Sequence, residues 1–559
     1  MQLTKCFIIT SKQHKDKEKG DRIMKAVEAI IECLMEEDVK VVFGYPGATV
    51  VPLYEALRKS SIKHILVRQE QAAGHSASGY GRTTGTVGVC IVTSGPGATN
   101  IITSIATAYM DSIPLVIITG QVKCKLIGKD AFQEVDITGA TESFTKYNYL
   151  VSRAQDIPKI IKEAFYIART GRPGPVLIDI PVDLQEEEIE YSYPSEVNIR
   201  GYKPTIVGHK GQIKKAIERI QESKKPLICI GGGIGCSHAQ KQLMEFVNKS
   251  KIPIVHTLMA KGCVDEESKY YIGLIGSHGF SYANKAVQNA DVLILIGTRI
   301  ADRATAGSKY FARDADIIHI DIDPAEIGKN LGINIPVVGD CKNILEELTN
   351  KIDLKSTDSW VNEVRQWKKD ASVPKILNDK VNPKYALELL SKILEKDVIV
   401  TADVGQNQIW CARNFTITQN RCFLTTGGLG TMGYSLPAAI GSKIGNPSRR
   451  VVAITGDGGI QMSLAELGTI CENKINITIL IFNNSGLGMV REIQNNTYEG
   501  NYAVELKCNP NFVKIAEAYG LHGKKVNSNS ELEEAFKEAF SAKKTFVIEC
   551  MVDPFESTF

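Results

Sequence analysis

The stretch Val451-Val-Ala-Ile-Thr-Gly-Asp-Gly-Gly459 runs an apolar strand straight into a glycine-rich turn, and Ile477-Thr-Ile-Leu-Ile-Phe-Asn-Asn-Ser-Gly486 repeats the arrangement. Between them, Ser463 to Glu472 reads as a helix. Strand, helix and a second near-continuously apolar strand form a βαβ unit, whose parallel strands are covered by helices on both faces. Both strands end in oxygen-bearing residues beside glycine. In an open parallel sheet that carboxyl edge is where ligands sit.

The same alternation extends outward in both directions. Strand-like runs occur at Lys40–Gly44, Val87–Thr93, Pro114–Gly120, Val176–Pro181, Pro226–Gly231, Asp291–Gly297, Ile317–Ile322 and Val398–Val404, besides Val451–Gly456 and Ile477–Asn483. That is too many for one sheet. Gln185 to Lys203, with three consecutive glutamates, Pro194 and Gly201, reads as a linker. Asn343 to Asn382 is charged and helical in pattern, with no strand. Cutting there gives an α/β protein of three doubly wound parallel-sheet domains, near 22–185, 205–345 and 385–555.

Of the 559 residues, 23% are charged and 43% hydrophobic, which is ordinary globular composition. Lys+Arg is 66 against Asp+Glu 63, so the net charge of +3 argues against nucleic-acid or membrane-surface binding. No run approaches the roughly 18 apolar residues of a spanning helix. Residues 1–20 lack the long apolar core of a secretory signal, leaving a targeting or disordered extension open. The 13 cysteines include no CxxC pair and no zinc spacing, so reduced thiols and a cytoplasmic location are expected.

Asp457 and Asn484 offer hard oxygen ligands, and the loop carbonyl of Gly486 a third. That set suits Mg²⁺, which keeps phosphate oxygens in its octahedral shell. Gly456, Gly458 and Gly459 let backbone N–H groups approach a diphosphate. Two tight turns in a sheet would explain a lone Gly-Asp-Gly equally well. Gly-Asp-Gly, 24 intervening residues and then Asn-Asn resembles the diphosphate motif of thiamine diphosphate (ThDP) enzymes. That cofactor needs a carboxylate at N1′ of its aminopyrimidine, where a shared proton favours the imino form that removes the C2 proton of the thiazolium. Glu70, in Arg68-Gln-Glu-Gln-Ala-Ala-Gly-His75, is the candidate, although alone it reads as a helix cap. The nine histidines include no adjacent pair, which disfavours chemistry that protonates the two-carbon unit with a His pair.

From about residue 22 to 555 the chain resembles the acetolactate synthase large-subunit family. The matching stretches are Phe43-Gly-Tyr-Pro-Gly47, Thr93-Ser-Gly-Pro-Gly-Ala-Thr-Asn100, Asp130-Ala-Phe-Gln-Glu134, Gly171-Arg-Pro-Gly-Pro-Val176, Gly427-Gly-Leu-Gly-Thr-Met-Gly-Tyr434 and Leu487-Gly-Met-Val490. The resemblance implies pyrimidine-binding, central FAD-type and diphosphate-binding domains. It implies a homodimer or tetramer with cofactor sites between chains, a possible small regulatory subunit, and condensation of pyruvate with a second 2-oxo acid. Glu70 of one chain would then meet Asp457 and Asn484 of another. Gly47, Pro96 and Asn100 would belong to the pyrimidine half. Gly405, Gln406, Asn407, Gly430, Met432, Leu487, Gly488 and Val490 would belong to the diphosphate half, with Met489 supporting the bent cofactor. Phe132 and Gln133 would line the reacting side, with Lys146 nearby. For a structural FAD, the resemblance points to Arg172, to Gly231, Gly232 and Gly233, and to Thr257 and Leu258. It adds Gly276, His278, Gly279, Arg299, Asp302, Arg303, Asp321, Ile322 and Asp340.

The chain departs from the family pattern at five places. Ala48 stands where glycine is common and would narrow the reacting side. Asn407 replaces a histidine, and Val182 a lysine. Ile300 and Ala301 interrupt an Arg-Phe-Asp-Asp-Arg segment, which weakens the expectation of FAD. Ile493 replaces a tryptophan that shapes the acceptor pocket, so a remodelled pocket with weaker selection for 2-oxobutyrate is expected. Two other readings stay open: a different ThDP-dependent decarboxylase, oxidase or acyltransferase, and an inactive regulatory homologue.

Overall fold

A computed structural model describes residues 22–307, 310–353, 356–371, 380–417 and 423–559. It contains three six-stranded, wholly parallel sheets. Across the N-terminal sheet the strands run Lys63–Leu66, Val41–Tyr45, Gly88–Val92, Leu115–Gln121, Pro175–Pro181 and Tyr147–Leu150. The central sheet runs Tyr271–Leu274, Ile254–His256, Pro226–Ile230, Val292–Ile296, Asp316–Asp321 and Ile335–Val338. The C-terminal sheet runs Phe423–Leu424, Ile399–Ala402, Val451–Gly456, Thr478–Asn483, Phe546–Met551 and His522–Val526. The expected doubly wound α/β class is therefore the one observed. Val/Ile runs such as Val292–Ile296 are buried at every position, because helices cover both faces.

All ten strands read from the sequence are present, and the remaining ones are mostly edge or polar strands. His522–Val526 carries two lysines, and Tyr147–Leu150 is half-exposed, so neither shows an apolar run. The linker reading of Gln185–Lys203 needs correction. Glu188–Tyr191 is a strand pairing antiparallel with Arg22–Lys25. Only Ile189 and Tyr191 of it are buried, a two-residue alternation masked by glutamates. The helix expected at Ser463–Glu472 is also divided. One helix spans Asp457–Gln461, beginning at the aspartate itself; a 3₁₀ turn and a second helix, Leu467–Glu472, follow. The helical run breaks at Met462 and Ser463, which lead into the 3₁₀ turn Leu464–Glu466. In the charged stretch the helices Cys341–Lys351 and Asp358–Asp370 cover the central sheet, where Trp360 donates to the Pro226 carbonyl at 3.0 Å.

The N- and C-terminal units are joined by two crossing helices, Glu70–Thr84 and Ser435–Gly445. Their backbones touch. A Cβ on Gly79 would lie 2.1 Å from the Ala438 carbonyl oxygen, and one on Gly441 1.8 Å from that of Ser76. Arg82 crosses the same boundary, donating to the Thr425 carbonyl at 2.8 Å and the Tyr434 hydroxyl at 3.0 Å. Among the described residues, no helix is long and apolar enough to cross a membrane.

Candidate active site

The carboxyl edges of the N- and C-terminal sheets each build half of a site. On the N-terminal side, Gln69 caps the helix Glu70–Thr84 by accepting the Ala72 N–H, so Glu70 occupies the first helical position. Asn100 Nδ2 donates to Glu70 Oε2 at 3.0 Å. A Cβ on Gly97 would stand 3.5 Å from Glu70 Oε1, and one on Gly47 2.5 Å from Thr93, so the loops at 47 and 93–100 converge on the carboxylate. Pro96 opens the short helix that carries Asn100.

The Phe132–Gln133 loop closes this half. Gly95 (φ +56°) packs so tightly on it that a Cβ would lie 2.8 Å from that of Gln133, itself left-handed at φ +59°. Phe132 is 86% exposed. Underneath, Gln121 Nε2 donates both to the Val135 carbonyl at 2.8 Å and to Asp179 at 2.9 Å. Burial pushes the Asp179 carboxyl up to about 7. Lys146 is not part of this site. It precedes the strand Tyr147–Leu150, at the amino edge of the sheet, and its ammonium donates to the carbonyls of Ile167 and Thr170 and to the Tyr202 hydroxyl. A parallel sheet places its ligand loops at the other edge.

On the C-terminal side, Asp457 is buried at the end of its strand. The Gly486 N–H donates to Asp457 Oδ2 at 3.0 Å, and Asn509 Nδ2 donates to the same oxygen at 2.6 Å. Burial nonetheless raises its pKa. Asn484 Nδ2 donates to Gln406 Oε1 at 2.8 Å, while Asn484 Oδ1 is buried and accepts nothing. Gln406 is fixed in turn, donating to Glu492 Oε2 at 2.7 Å and the Glu556 carbonyl at 2.9 Å. Gly488 has to be glycine, since a Cβ would lie 2.0 Å from Gln406 Oε1 and 2.4 Å from Asn484 Nδ2. The Gly486 carbonyl accepts the Gly488 N–H at 2.9 Å, leaving its second lone pair for another partner.

Gly405, at φ +130°, turns the chain into the helix Gln406–Asn414, and the Asn407 amide donates to the Asp403 carbonyl at 2.7 Å. A Cβ on Gly456 would lie 3.3 Å from Asn407 Oδ1. Gly458 faces Leu487 and Met432, at 2.9 and 3.5 Å from its notional Cβ, and Gly459 abuts Asp403. Gly430 has open space around it, and Met489 and Val490 lie in the first turn of the helix Gly488–Thr497.

A buried carboxylate and a neighbouring orphaned amide oxygen are a donor set short of a cation. Asp, Asn and a backbone carbonyl are hard oxygens, so the residues fit Mg²⁺. The glycines beside them leave the backbone open to a diphosphate.

A cleft of about 550 Å³ lies where the three units meet. Arg172 contributes from the N-terminal unit, and Ile409 and Gly427 from the C-terminal one. The central unit lines it with Gly231, Gly232 and Gly233, with Thr257, Leu258 and His278, and with Arg299 and Arg303. Asp321, Ile322 and Asp340 complete that wall. Asp321 is pushed up to about 6 by burial. Gly276, Gly279 and Asp302 do not line the cleft. A Cβ on Gly276 would strike the Arg303 carbonyl oxygen at 2.3 Å, the Gly279 carbonyl accepts from Arg413, and the Asp302 side chain is exposed.

Three family models match the chain. They are the thiamine pyrophosphate enzyme N-terminal TPP binding domain at residues 24–140, the central domain at 213–348 and the C-terminal TPP binding domain at 403–550. The chain is 47% identical over 549 residues to a "Probable acetolactate synthase large subunit" of Methanocaldococcus jannaschii, covering 96% of this chain and 93% of that one. It is 42% identical over 548 residues to the acetolactate synthase large subunit of Haemophilus influenzae, covering 96% of both. The chain belongs to the acetolactate synthase large-subunit family. A third member, the isozyme 3 large subunit of Escherichia coli, is 41% identical over 529 residues, covering 92% of each.

Several residues of the site carry no sequence signal that marks them. Asn509 sits in a loop without periodic pattern, yet reaches both Asp457 and Asn483. Glu492 lies on an ordinary amphipathic helix. Asp403 was open to discovery as an acid at the carboxyl end of an apolar strand. It is buried, accepts the Gly433 N–H at 2.9 Å, and is pushed up to about 6.

Proposed function

We propose that this chain condenses two 2-oxo acids, releasing CO₂ from pyruvate and joining its hydroxyethyl unit to a second pyruvate or to 2-oxobutyrate. The observation that carries this reading is the Asn484 oxygen, buried and unpaired beside Asp457 at the ligand edge of the C-terminal sheet. When bound, thiamine diphosphate would supply, on losing a carbon-bound proton, a carbon nucleophile toward the 2-oxo acid and an electron sink for the pair left behind as CO₂ departs. Asp457, Asn484 and the Gly486 carbonyl would hold Mg²⁺, and Gly456, Gly458 and Gly459 the diphosphate. Glu70, oriented by Asn100, would share a proton with the pyrimidine ring. Phe132 and Gln133 would shield the reacting side from water.

The nearly bare Phe132 supports a homodimer, since a second chain would cover an apolar side chain that one chain leaves exposed. Large-subunit relatives support a small regulatory partner. FAD suits the three-unit cleft, whose lining includes the glycine turn at 231–233 and Asp321, an acid that could accept from a ribose hydroxyl. Flavin absorbance of the purified protein tests this, and Gly232→Asp should lose it. The cytoplasm suits a chain in which no disulfide joins the described cysteines.

Product analysis with pyruvate, ThDP and Mg²⁺ tests the reaction. Acetolactate supports it, whereas acetaldehyde or acetyl phosphate as the main product replaces it with a decarboxylase or an oxidase. Glu70→Gln should lower turnover by orders of magnitude; unchanged turnover rejects its role.

A further inference from the structure

The turn that delivers Glu70 is held by a residue of the other half-site. The chain leaves the strand Lys63–Leu66 and enters its helix at Glu70, so the N–H groups of Arg68 and Gln69 fall outside both ladders. Glu466, 1% exposed, satisfies them from the C-terminal unit. The Arg68 N–H donates to Glu466 Oε1 at 2.9 Å, and the Gln69 N–H faces the same carboxylate. Thr469 Oγ1 lies 2.7 Å from Glu466 Oε2 and 3.2 Å from the Leu66 carbonyl oxygen. Arg68 also pairs with Glu472 at 2.7 Å, and Gly468 lets the guanidinium pass, a Cβ there standing 3.0 Å from its Nε. Residues 66–69 are thus gripped by 466–472.

Charge-assisted bonds from a buried carboxylate to backbone N–H groups are short and strong, and removing one strands buried donors. We propose that Glu466 is a positioning residue for Glu70, so that the loop starting at Asp457 sets where the activating carboxylate stands. This rests on the proposed role of Glu70. Among the described residues, the Glu466 carboxylate bonds to the backbone of Arg68 and Gln69 and to Thr469, and to neither Glu70, Asp457 nor Asn484. A displacement near 1 Å at a reacting group costs on the order of 10²-fold in rate, so the effect belongs in kcat rather than in substrate affinity.

The test compares Glu466→Gln, Glu466→Ala and Glu70→Gln in the full-length protein with ThDP and Mg²⁺. Glu466→Gln keeps an oxygen for the Arg68 N–H and should lose about tenfold in kcat, and Glu466→Ala about a hundredfold, with KM for pyruvate within about twofold. Without cofactor, amide hydrogen exchange should quicken in residues 67–72 and not across the rest of the chain. Wild-type kcat in Glu466→Ala, or exchange that rises everywhere alike, overturns the proposal. Turnover retained in Glu70→Gln instead removes the reading of Glu70. The exchange measurement then still decides whether Glu466 holds the turn.

Discussion

Replacing Gln406 with methionine isolates the orientation of Asn484, the proposed metal ligand, from the ligand itself. Methionine matches glutamine in length and carries no amide. Three bonds disappear: the one accepted from Asn484 at 2.8 Å, and those donated to Glu492 at 2.7 Å and to the Glu556 carbonyl at 2.9 Å. Asn484 keeps both amide atoms but loses the partner that directs Nδ2 away from the orphaned Oδ1. Partners that orient a metal ligand are worth roughly 10–100-fold in affinity, about 1.4–2.8 kcal/mol. Glu492 keeps the bonds its Oε1 accepts from Ser557 and Thr558 and loses only the one at Oε2, at a cost to folding of about 1 kcal/mol.

The assay is acetolactate formation across a Mg²⁺ titration, with Mg²⁺-dependent ThDP binding followed by tryptophan fluorescence. Half-saturating Mg²⁺ should rise about 10–100-fold, and kcat at saturating Mg²⁺ should recover to near wild type. Gly488→Ala should behave alike, because its Cβ would meet Gln406 Oε1 at 2.0 Å and push the same amide aside. A folded Gln406→Met protein with an unchanged Mg²⁺ midpoint refutes the argument. So does a kcat that stays low at every concentration.

Gly441→Ala drives a methyl into the Ser76 carbonyl, where overpacking costs about 1–3 kcal/mol and often more for backbone contact; a urea midpoint equal to wild type would show that the helices separate readily. Burial raises the Asp179 carboxyl from 3.8 to about 7, so the folded state prefers the protonated form. That stabilisation is complete below about pH 4 and is lost as pH rises through about 7. Asp179→Asn should therefore lose less stability than wild type between about pH 5 and pH 8, and an equal loss contradicts the assignment. Mixing subunits of Glu70→Gln and Asp457→Asn should restore activity if each site draws on two chains, whereas no recovery places both groups in one chain. Ile493, half-exposed on its helix, sets the acceptor prediction. Ile493→Trp should raise the preference for 2-oxobutyrate over pyruvate in a competition assay, and a strong preference already present in wild type sinks the idea.

The apolar strands and the turns at their carboxyl ends were legible because both signals are local. Val451–Gly456 announces its burial residue by residue, and Gly-Asp-Gly announces a tight turn from strand into helix. Asn509, Glu492 and Glu466 were not legible, because each acts on a residue remote in sequence and sits in an unremarkable local pattern. Glu466 meets Arg68 across 398 positions of chain. Lys146 shows the converse error. It was placed near the site by the family resemblance, but the direction of its strand puts it at the far edge of the sheet.

The crossing of Gly79 and Gly441 also fixes how the molecule moves. Backbones in contact at the crossing oppose sliding of one helix over the other, so the N- and C-terminal units of one chain should move together. Any opening of the site should then fall to what is attached to those units: residues 122–136, the segment after Asn484, and the central unit. A spectroscopic label on either of the first two would report opening. Labels across the helix pair would register a fixed distance throughout turnover.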